Sequence, residues 1–369
     1  MRFSCHKAEL LQAIQVVSRV LPAQTSEQLF TNILLSAEPD RLCLFATQHQ
    51  VSIRREVAMI VPEPGRIAVP GALFAEILQQ IQTARSDTVD VTVSPERRMV
   101  VSGEGAVYRL SGIDPVSFPA MPEPVSERSF VIGADKLREL IRRVVIVNTG
   151  SVGASFDEML IEVHEGQLAF VATDSVRLAV SRCPLEAATP SMDTRLPLQS
   201  MAELGKILPA DGDVRVTLGS HQVGFEFART LYVARTADKV FPNYRSILPK
   251  DHPRYITVEA KGLADALKGV APLARANKHR VRLAASVGKV VISSSSAEVG
   301  GDAEREVEAE LSGEPIELSF NAKYILDFLG AAETPKVRLG VTAASLPATF
   351  RPEGEGAADY VYLLMPINL

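Results

Sequence analysis

The chain has 369 residues, more than one hydrophobic core usually holds, so two or three domains are expected. Its formal net charge of −5 excludes a surface that is basic all over, although a local basic face remains possible. No apolar run approaches the roughly 18 residues that cross a bilayer, and the opening MRFSCHKAELL has charges where a signal peptide has its apolar core. These features predict a cytoplasmic protein.

The sequence has no recognisable catalytic or metal-binding signature. Its three cysteines are far apart, which argues against a disulfide framework and against a CxxC metal site. The six histidines show no metal-ligand spacing, and there is no P-loop, GxGxxG or GxSxG motif. We therefore expect neither enzymatic activity nor a bound metal or cofactor.

In chain order, the first predicted helix introduces an apolar pattern that occurs three times. The second copy lies 127 residues after the first (10 to 137) and the third lies 126 residues later (137 to 263). The spacing i, i+4, i+7 is typical of one buried helix face. The members are Leu10, Ile14 and Val17; then Leu137, Ile141 and Val144; then Leu263, Leu267 and Val270.

Other segments recur in step with these helices. A strand-like LCLFAT ending at Thr47 is followed by LAFVAT ending at Thr173 and by KVVISS ending at Ser294. A second helix follows in each copy: PGALFAEILQQI, PLQSMAELGKIL and NAKYILDFLGA. Alternating strand pairs come next, with turn signals that predict antiparallel hairpins.

Two proline-rich stretches, 118–128 and 241–255, separate the copies and read as extended connectors. The pattern predicts the α+β class with three similar domains at 1–122, 129–250 and 254–369, each with two helices and several antiparallel strands. Copies of constant polarity can associate head to tail, and periodicity alone leaves ring closure open.

The chain ends DYVYLLMPINL, which is apolar almost to the last residue. Two readings follow from the residues alone. The segment is either a core strand or a surface kept apolar for a partner, and strand alternation does not decide because Leu363 and Leu364 are both apolar.

Four motifs, in register with the repeat, resemble the bacterial DNA sliding clamp family, the beta subunit of DNA polymerase III. They are VATDSVRLA (171–179), FPNYRSILP (241–249), FNAKYILDFL (320–329) and the terminal YLLMPINL. The resemblance implies three repeated DNA-clamp domains in a head-to-tail homodimeric ring around duplex DNA, without catalysis. It also implies an apolar pocket between the second and third domains. Short peptides of the DNA polymerase III alpha subunit, the clamp loader, and other clamp-motif polymerases and repair proteins would dock there.

Carried over position by position, the family's pocket falls on two subsites and a rim. The deeper subsite comprises Thr173, Arg177, Leu178, Pro242, Ile247, Leu363 and Met365, with Phe156 in place of a smaller side chain. The shelf comprises Asn321, Tyr324, Pro347, Leu364 and Pro366. The altered rim and the tail comprise Ser175, Val176, Ser246, Ile367 and Leu369.

The resemblance also assigns DNA-facing and dimer-forming residues. The DNA-facing set is Lys136, Arg138, Arg142, Arg143, Lys206, Lys261, Lys268 and Lys278. The first domain has Gln24 and Ala72 where the family tends to have arginine, so a specialised clamp paralogue or interaction scaffold with reduced DNA loading remains an alternative. The dimer is expected to join Tyr108 and Leu110 of one subunit to Pro272 and Leu273 of the other.

Overall fold

The computed structural model describes residues 1–22, 25–82, 87–124, 128–147, 156–185, 191–237, 240–354 and 359–367. The chain divides into two compact units, Met1–Leu137 with Glu203–Ala237, and Arg138–Ala202 with Asp238–Leu369. None of the helices in the described ranges is long and apolar enough to cross a membrane.

The described ranges contain a pair of α-helices in each third of the chain. They are α1 Lys7–Ser18, α2 Gly71–Gln80, α3 Ala134–Val145, α4 Leu198–Ile207, α5 Ala260–Ala276 and α6 Ala322–Ala332. All nine residues of the repeated apolar pattern are at most 1% exposed. The helical periodicity is therefore confirmed, and burial of this stripe accounts for most of each helix's stability.

The strands repeat in the same way. The first domain has β1 Arg2–His6, β2 Asn32–Glu38, β3 Arg41–Thr47, β4 Val51–Ala58, β5 Gly65–Pro70, β6 Thr88–Val93, β7 Arg98–Gly103 and β8 Ala106–Ser111. The second has β9 Ser129–Gly133, β10 Glu158–His164, β11 Gln167–Thr173, β12 Arg177–Pro184, β13 Met192–Pro197, β14 Asp213–Leu218, β15 Gln222–Phe227 and β16 Thr230–Arg235. The third has β17 Arg254–Glu259, β18 Arg280–Ser286, β19 Lys289–Ser296, β20 Gly301–Ser312, β21 Ile316–Asn321, β22 Lys336–Val341, β23 Ala348–Glu353 and β24 Tyr360–Leu364.

Each domain is built from two antiparallel four-stranded halves. In the first domain these are β5-β2-β3-β4 and β1-β6-β7-β8, and the same order recurs in the second and third domains. The α+β class and the threefold repeat of two helices on antiparallel sheets are therefore confirmed.

Sheets continue from one domain into the next through strand pairing. Strand β4 pairs with β16, and β12 pairs with β24, so the halves join into sheets of eight and twelve strands. Both junctions have the same register, because Tyr232 lies opposite Ile53 and Tyr362 lies opposite Ala179. This shared pairing explains why the compact units do not coincide with the repeats. The boundaries at 1–122, 129–250 and 254–369 stay a prediction.

The hairpin register corrects one step of the predicted repeat. The hairpins begin at the pairs Glu38 with Arg41, His164 with Gln167, and Ser286 with Lys289. Counting from these pairs, the counterpart of Thr47 and Thr173 is Ser295, one residue after the predicted Ser294. The error arises because consecutive serines give no cue to which of them faces the core.

On the sheet face opposite the helices, the first two domains have an apolar cluster covered by a connector. In the first domain Phe118 packs on Phe45, with ring centroids 5.6 Å apart. In the second domain Tyr244 packs with Val171, Leu178 and other apolar residues of the sheet. The phenylalanine- and tyrosine-containing connectors are therefore part of the core.

Candidate functional site

Strand β24 is buried on both faces. On the helix side, Tyr360 and Tyr362 stack on Phe328 of α6, at 5.4 and 5.5 Å between ring centroids. On the opposite side, Leu363 joins the apolar cluster that contains Tyr244. The first reading of the terminal segment, a core strand, therefore holds for 360–364.

Beyond β24 the chain leaves the sheet and becomes partly exposed. The Met365 amide donates to the Val176 carbonyl at 2.9 Å, and the Ile367 amide donates to the Ser319 carbonyl at 2.8 Å. Met365 and Val176 are 39% and 41% exposed, and Ile247 beside the cluster is 51% exposed. These three side chains leave apolar surface in water, and each is close in sequence to a buried member of that cluster, namely Leu178, Tyr244 or Leu363.

A buried ion network fixes the loop that precedes β12. The Arg177 guanidinium donates to Asp174 at 2.8 Å and to Asp327 at 2.9 Å, and lies 4.1 Å from the centroid of the Tyr324 ring. The Asp174 carboxylate also accepts the amides of Val176 and Arg177. Such charge-assisted bonds hold Tyr324 and Val176 in fixed positions, and they commit donors of Arg177.

The connector before the third domain is fixed by a second buried group. The Tyr244 hydroxyl donates to Glu162, and Arg245 donates to the same carboxylate oxygen at 2.8 Å. Burial is the main cause, and the hydrogen bond to Glu162 the second, of a rise in the pKa of Tyr244 to about 12. The Tyr244 hydroxyl therefore stays protonated at neutral pH, and its bond to Glu162 fixes the turn that presents Ile247.

Sequence spacing did not reveal a polar group beside this connector. His164 Nε2 lies 2.6 Å from Asp193 Oδ1, and with Glu162 the three side chains bring ligand atoms within 4.8 Å of one another. Asp193 reaches the group from the neighbouring strand β13, where it pairs with Glu162. The Arg245 charge on Glu162 opposes binding of a cation, so we regard the group as structural.

The predicted pocket residues differ in their exposure. The exposed ones are Ser175, Val176, Pro242, Ser246, Ile247 and Met365. The half-buried ones are Phe156, Asn321, Tyr324, Pro347, Pro366 and Ile367, and the buried ones are Thr173, Arg177, Leu178, Leu363 and Leu364. Leu369 lies outside the described residues.

Two of these assignments fall on buried side chains. Leu364 has no exposed surface, because it shares the helix-facing side of β24 with Tyr360 and Tyr362, so it does not line a shelf for a peptide. Arg177 is 2% exposed and its guanidinium binds Asp174 and Asp327, so these ion pairs fix its position, and its place in the deeper subsite stays a prediction.

One predicted DNA-facing residue is wrong. Arg143 is only 5% exposed, forms an ion pair with Glu139, and lies over the Tyr360 ring. Tyr360 also donates to the Arg143 carbonyl at 2.8 Å. A guanidinium enclosed in this way supports the packing of α3 on β24 and does not face DNA.

The other predicted cations lie at or near the surface, several of them beside carboxylates. Arg142 pairs with Glu333 at 2.6 Å, and Lys206 pairs with Glu203 at 2.6 Å. The amine of Lys268 is 4.0 Å from Asp265. Lys136, Lys261 and Lys278 are exposed, and Arg138 is half-buried.

The predicted dimer residues lie beside open strand edges. Within the described residues, β8 pairs with β7 alone, and 301–308 of β20 pair with β19 alone. Tyr108 on β8 is half-buried, whereas its counterparts Tyr232 and Tyr362 are fully buried under neighbouring strands. Leu110 is 7% exposed, Leu273 is half-buried and Pro272 is exposed.

Comparison with known proteins matches this architecture. Models of the DNA polymerase III beta subunit match residues 1–122 (N-terminal domain), 131–243 (central domain) and 245–368 (C-terminal domain). The beta sliding clamps of Pseudomonas aeruginosa and Escherichia coli K12 are 29% and 27% identical, over the full length of both chains.

Solved structures give the same result at the level of the fold. The DNA polymerase III subunit beta of Pseudomonas aeruginosa has a TM-score of 0.91 at 28% identity and is covered completely. The sliding clamp of Bacillus subtilis has a TM-score of 0.91 at 27% identity, with 99% of that chain covered. A Pseudomonas aeruginosa sliding clamp bound to griselimycin has a TM-score of 0.92 at 27% identity. Since three consecutive domain models and full-length relatives agree with the threefold fold, the chain belongs to the DNA polymerase III beta subunit family, the sliding clamps that act as processivity factors.

Proposed function

We propose that the chain forms a head-to-tail homodimer that encircles duplex DNA, slides along it without sequence preference, and recruits replication and repair proteins. The partners would be the DNA polymerase III alpha subunit, the clamp loader, and other clamp-motif polymerases and repair proteins. The chain would act in the cytoplasm and without catalysis of its own. The observation that carries the proposal is that β8 and residues 301–308 of β20 each have an open edge within the described residues. The corresponding edges elsewhere in the repeat are paired, as β16 with β4 and β24 with β12.

The two junctions within the chain supply the register for the junction between subunits. The tyrosines of β16 and β24 lie opposite Ile53 and Ala179, and the hairpin count makes Ala303 the counterpart of both. Strand β8 would therefore place Tyr108 opposite Ala303 of the partner subunit, and Arg109 opposite Asp302 of the partner subunit. Pairing of these edges would cover Tyr108 and complete the third junction.

Partner peptides would dock on the apolar surface of Val176, Ile247 and Met365. Burying one apolar side chain contributes about 1.5–3 kcal/mol. Two such anchors with backbone hydrogen bonds approach the roughly −8 kcal/mol of a micromolar complex, which suits partners that must exchange.

Topological linkage would hold the ring on DNA, so contacts with phosphates need only be weak. The pairing of Arg142 and Lys206 with glutamates fits this requirement, since a cation with a neighbouring carboxylate gains less from a phosphate. The affinity of the unlinked protein for DNA should fall with salt by a log-log slope of about −0.9 per neutralised phosphate.

Retention on DNA tests the proposal. The protein is incubated with clamp loader, ATP and nicked circular plasmid, and bound protein is separated by gel filtration. We expect retention on the circle and release after the plasmid is linearised. Failure of loader-dependent retention would favour the alternative, an interaction scaffold with reduced DNA loading. The burial of Arg143 is the observation that supports this alternative.

A further inference from the structure

The third domain replaces the connector-covered apolar cluster with polar side chains. By hairpin register, the position of Phe45 and Val171 is Ser293, and the position of Leu34 and Leu160 is Arg282. In the first two domains these positions pack under Phe118 and Tyr244. The third domain therefore presents an uncovered polar face where the others have core.

Cross-strand pairing arranges these polar side chains in two rows. One row runs from Glu304 through Ser293 and Arg282 to Ser319. The other places Asp302 beside Ser295, and Arg280 beside Asn321. Between the rows lies a groove of about 420 Å³, which we call the serine groove and define by Arg280, Arg282, Ser293, Ser295 and Ser319, with Asp302 and Glu304 lining its other end.

The positive end of the serine groove lies at Arg280. Arg282 is held by Glu317, whereas among the described residues no carboxylate lies within ion-pair distance of Arg280. Asp302 and Glu304 belong to β20, two strands from Arg280, so the backbones of these strands are about 10 Å apart. Ser294 Oγ donates to the Arg280 carbonyl at 2.8 Å, which fixes the backbone that presents the guanidinium.

The same groove contains a buried hydroxyl group, that of Ser319. Ser319 lines the groove, is 2% exposed, and its Oγ has no hydrogen-bond partner within the described residues. Buried hydroxyls without a partner are uncommon and cost about 1–3 kcal/mol, so an acceptor in the groove would remove that cost.

The serine groove adjoins the proposed docking surface. The Ser319 carbonyl accepts from Ile367 in the tail that follows Met365. Asn321, which lies opposite Arg280, also caps α6 three residues before Tyr324 on the shelf, through a bond of 2.9 Å from the Lys323 amide. A peptide that leaves the shelf therefore meets Arg280 within about two residues, since an extended chain advances about 3.3 Å per residue.

We propose that the serine groove binds an acidic side chain that flanks the apolar anchors of a docked peptide. Its carboxylate would accept from the Arg280 guanidinium and from Ser319 Oγ. The inference rests on the proposed peptide docking and adds a preference for acidic flanks to it.

Fluorescence anisotropy with two labelled peptides tests the preference. Both carry a Leu-Phe anchor pair, flanked on each side by Asp in one peptide and by Asn in the other. We expect the Asp peptide to bind about three- to fivefold more tightly at low salt, the size of an exposed ion pair. Arg280→Gln should remove this preference, Ser319→Ala should reduce it, and neither should change the affinity for the Asn peptide.

Arg275→Gln is the matched control, because it removes an exposed arginine of the same domain outside the groove. It should leave the preference intact. Equal binding of both peptides to the wild type, or a preference that survives Arg280→Gln, would overturn the serine groove while leaving docking in place. If neither peptide binds, the docking proposal itself fails.

Discussion

Tyr244 shows how one hydroxyl connects stability to the docking surface. Glu162 is 3% exposed and accepts from Tyr244 and Arg245. Tyr244→Phe removes one donor from this buried carboxylate, which should lower the free energy of unfolding by about 1–3 kcal/mol. It should also weaken peptide binding, because the turn that presents Ile247 loses its attachment. Urea denaturation and anisotropy measure the two effects.

The control for this change is Tyr255→Phe. Its hydroxyl bonds to Asp251, an acceptor open to solvent, so water can replace the lost donor. We expect little change in unfolding free energy for this variant. Equal losses in the two variants would show that burial of Glu162 is not the cause.

His252 makes stability depend on pH. It is 8% exposed, and its ring nitrogens lie 3.0 Å from Thr342 Oγ1 and 2.9 Å from Thr349 Oγ1. Burial lowers its pKa below the ordinary 6.5, although Asp251 opposes the shift. The folded protein thus binds fewer protons than the unfolded chain. The free energy of unfolding should fall as pH drops below about 6.5, by up to about 1.4 kcal/mol per pH unit, until the pH passes the pKa of His252 in the folded protein.

Thermal unfolding at a series of pH values measures this dependence. His252→Gln should flatten it, whereas His221→Gln, at an exposed position, should not. An unchanged profile in His252→Gln would assign the acid sensitivity to other groups.

Burial of single charged residues was the part of the site that sequence reasoning predicted least well. Arg138, Arg142 and Arg143 look alike in sequence, and the repeated stripe of Leu137 and Ile141 does not distinguish them. The structure buries Leu140 as well, and Arg143 lies three residues after it on the widened apolar face. Its ion pair and aromatic contact come from packing that no local pattern records.

At the level of elements, the helices and hairpins were predictable because their periods of 3.6 and 2 are strong. The existence of β24 was also predictable, but its environment was not. Both of its faces are buried, since α6 covers one and the connector covers the other. Alternation predicts faces only when one of them meets water.

The tail after β24 gives a prediction about this element. Deleting Met365 to Leu369 removes an exposed anchor and the Ile367 bond to β21, but leaves all β24 pairs intact. We expect peptide affinity to fall at least tenfold, the equivalent of one lost apolar anchor, with the dimer unchanged. Anisotropy and sedimentation measure the two properties, and loss of the dimer would contradict the assignment of the tail.

At the level of the whole molecule, periodicity predicted three domains but not which edges meet. The junction strands are about 180 residues apart in sequence, as in the pair of Ile53 with Tyr232, and no local signal connects them. Only the register of the two internal junctions predicts where a third junction, between subunits, would form.

This register predicts a charge pair between subunits. Arg109→Glu should weaken the dimer about two- to fivefold at each junction, because it places like charges on paired strands. Asp302→Arg should do the same, and the double variant should recover most of the loss. Sedimentation equilibrium measures the dissociation constant. Arg66→Glu, at an exposed site on β5 in a different sheet from β8, is the control, and a double variant no tighter than either single one would contradict the register.

The threefold strand junction has a mechanical consequence. Two of the three junctions join segments of one chain, so their strands face each other at an effective concentration that dilution cannot lower. The proposed junction of β8 with β20 of the partner subunit would have no such tether and would depend on protein concentration alone. If it forms in the register of the other two, the ring would have two permanent joints and one seam in each half. We expect any opening that admits DNA to begin at that seam.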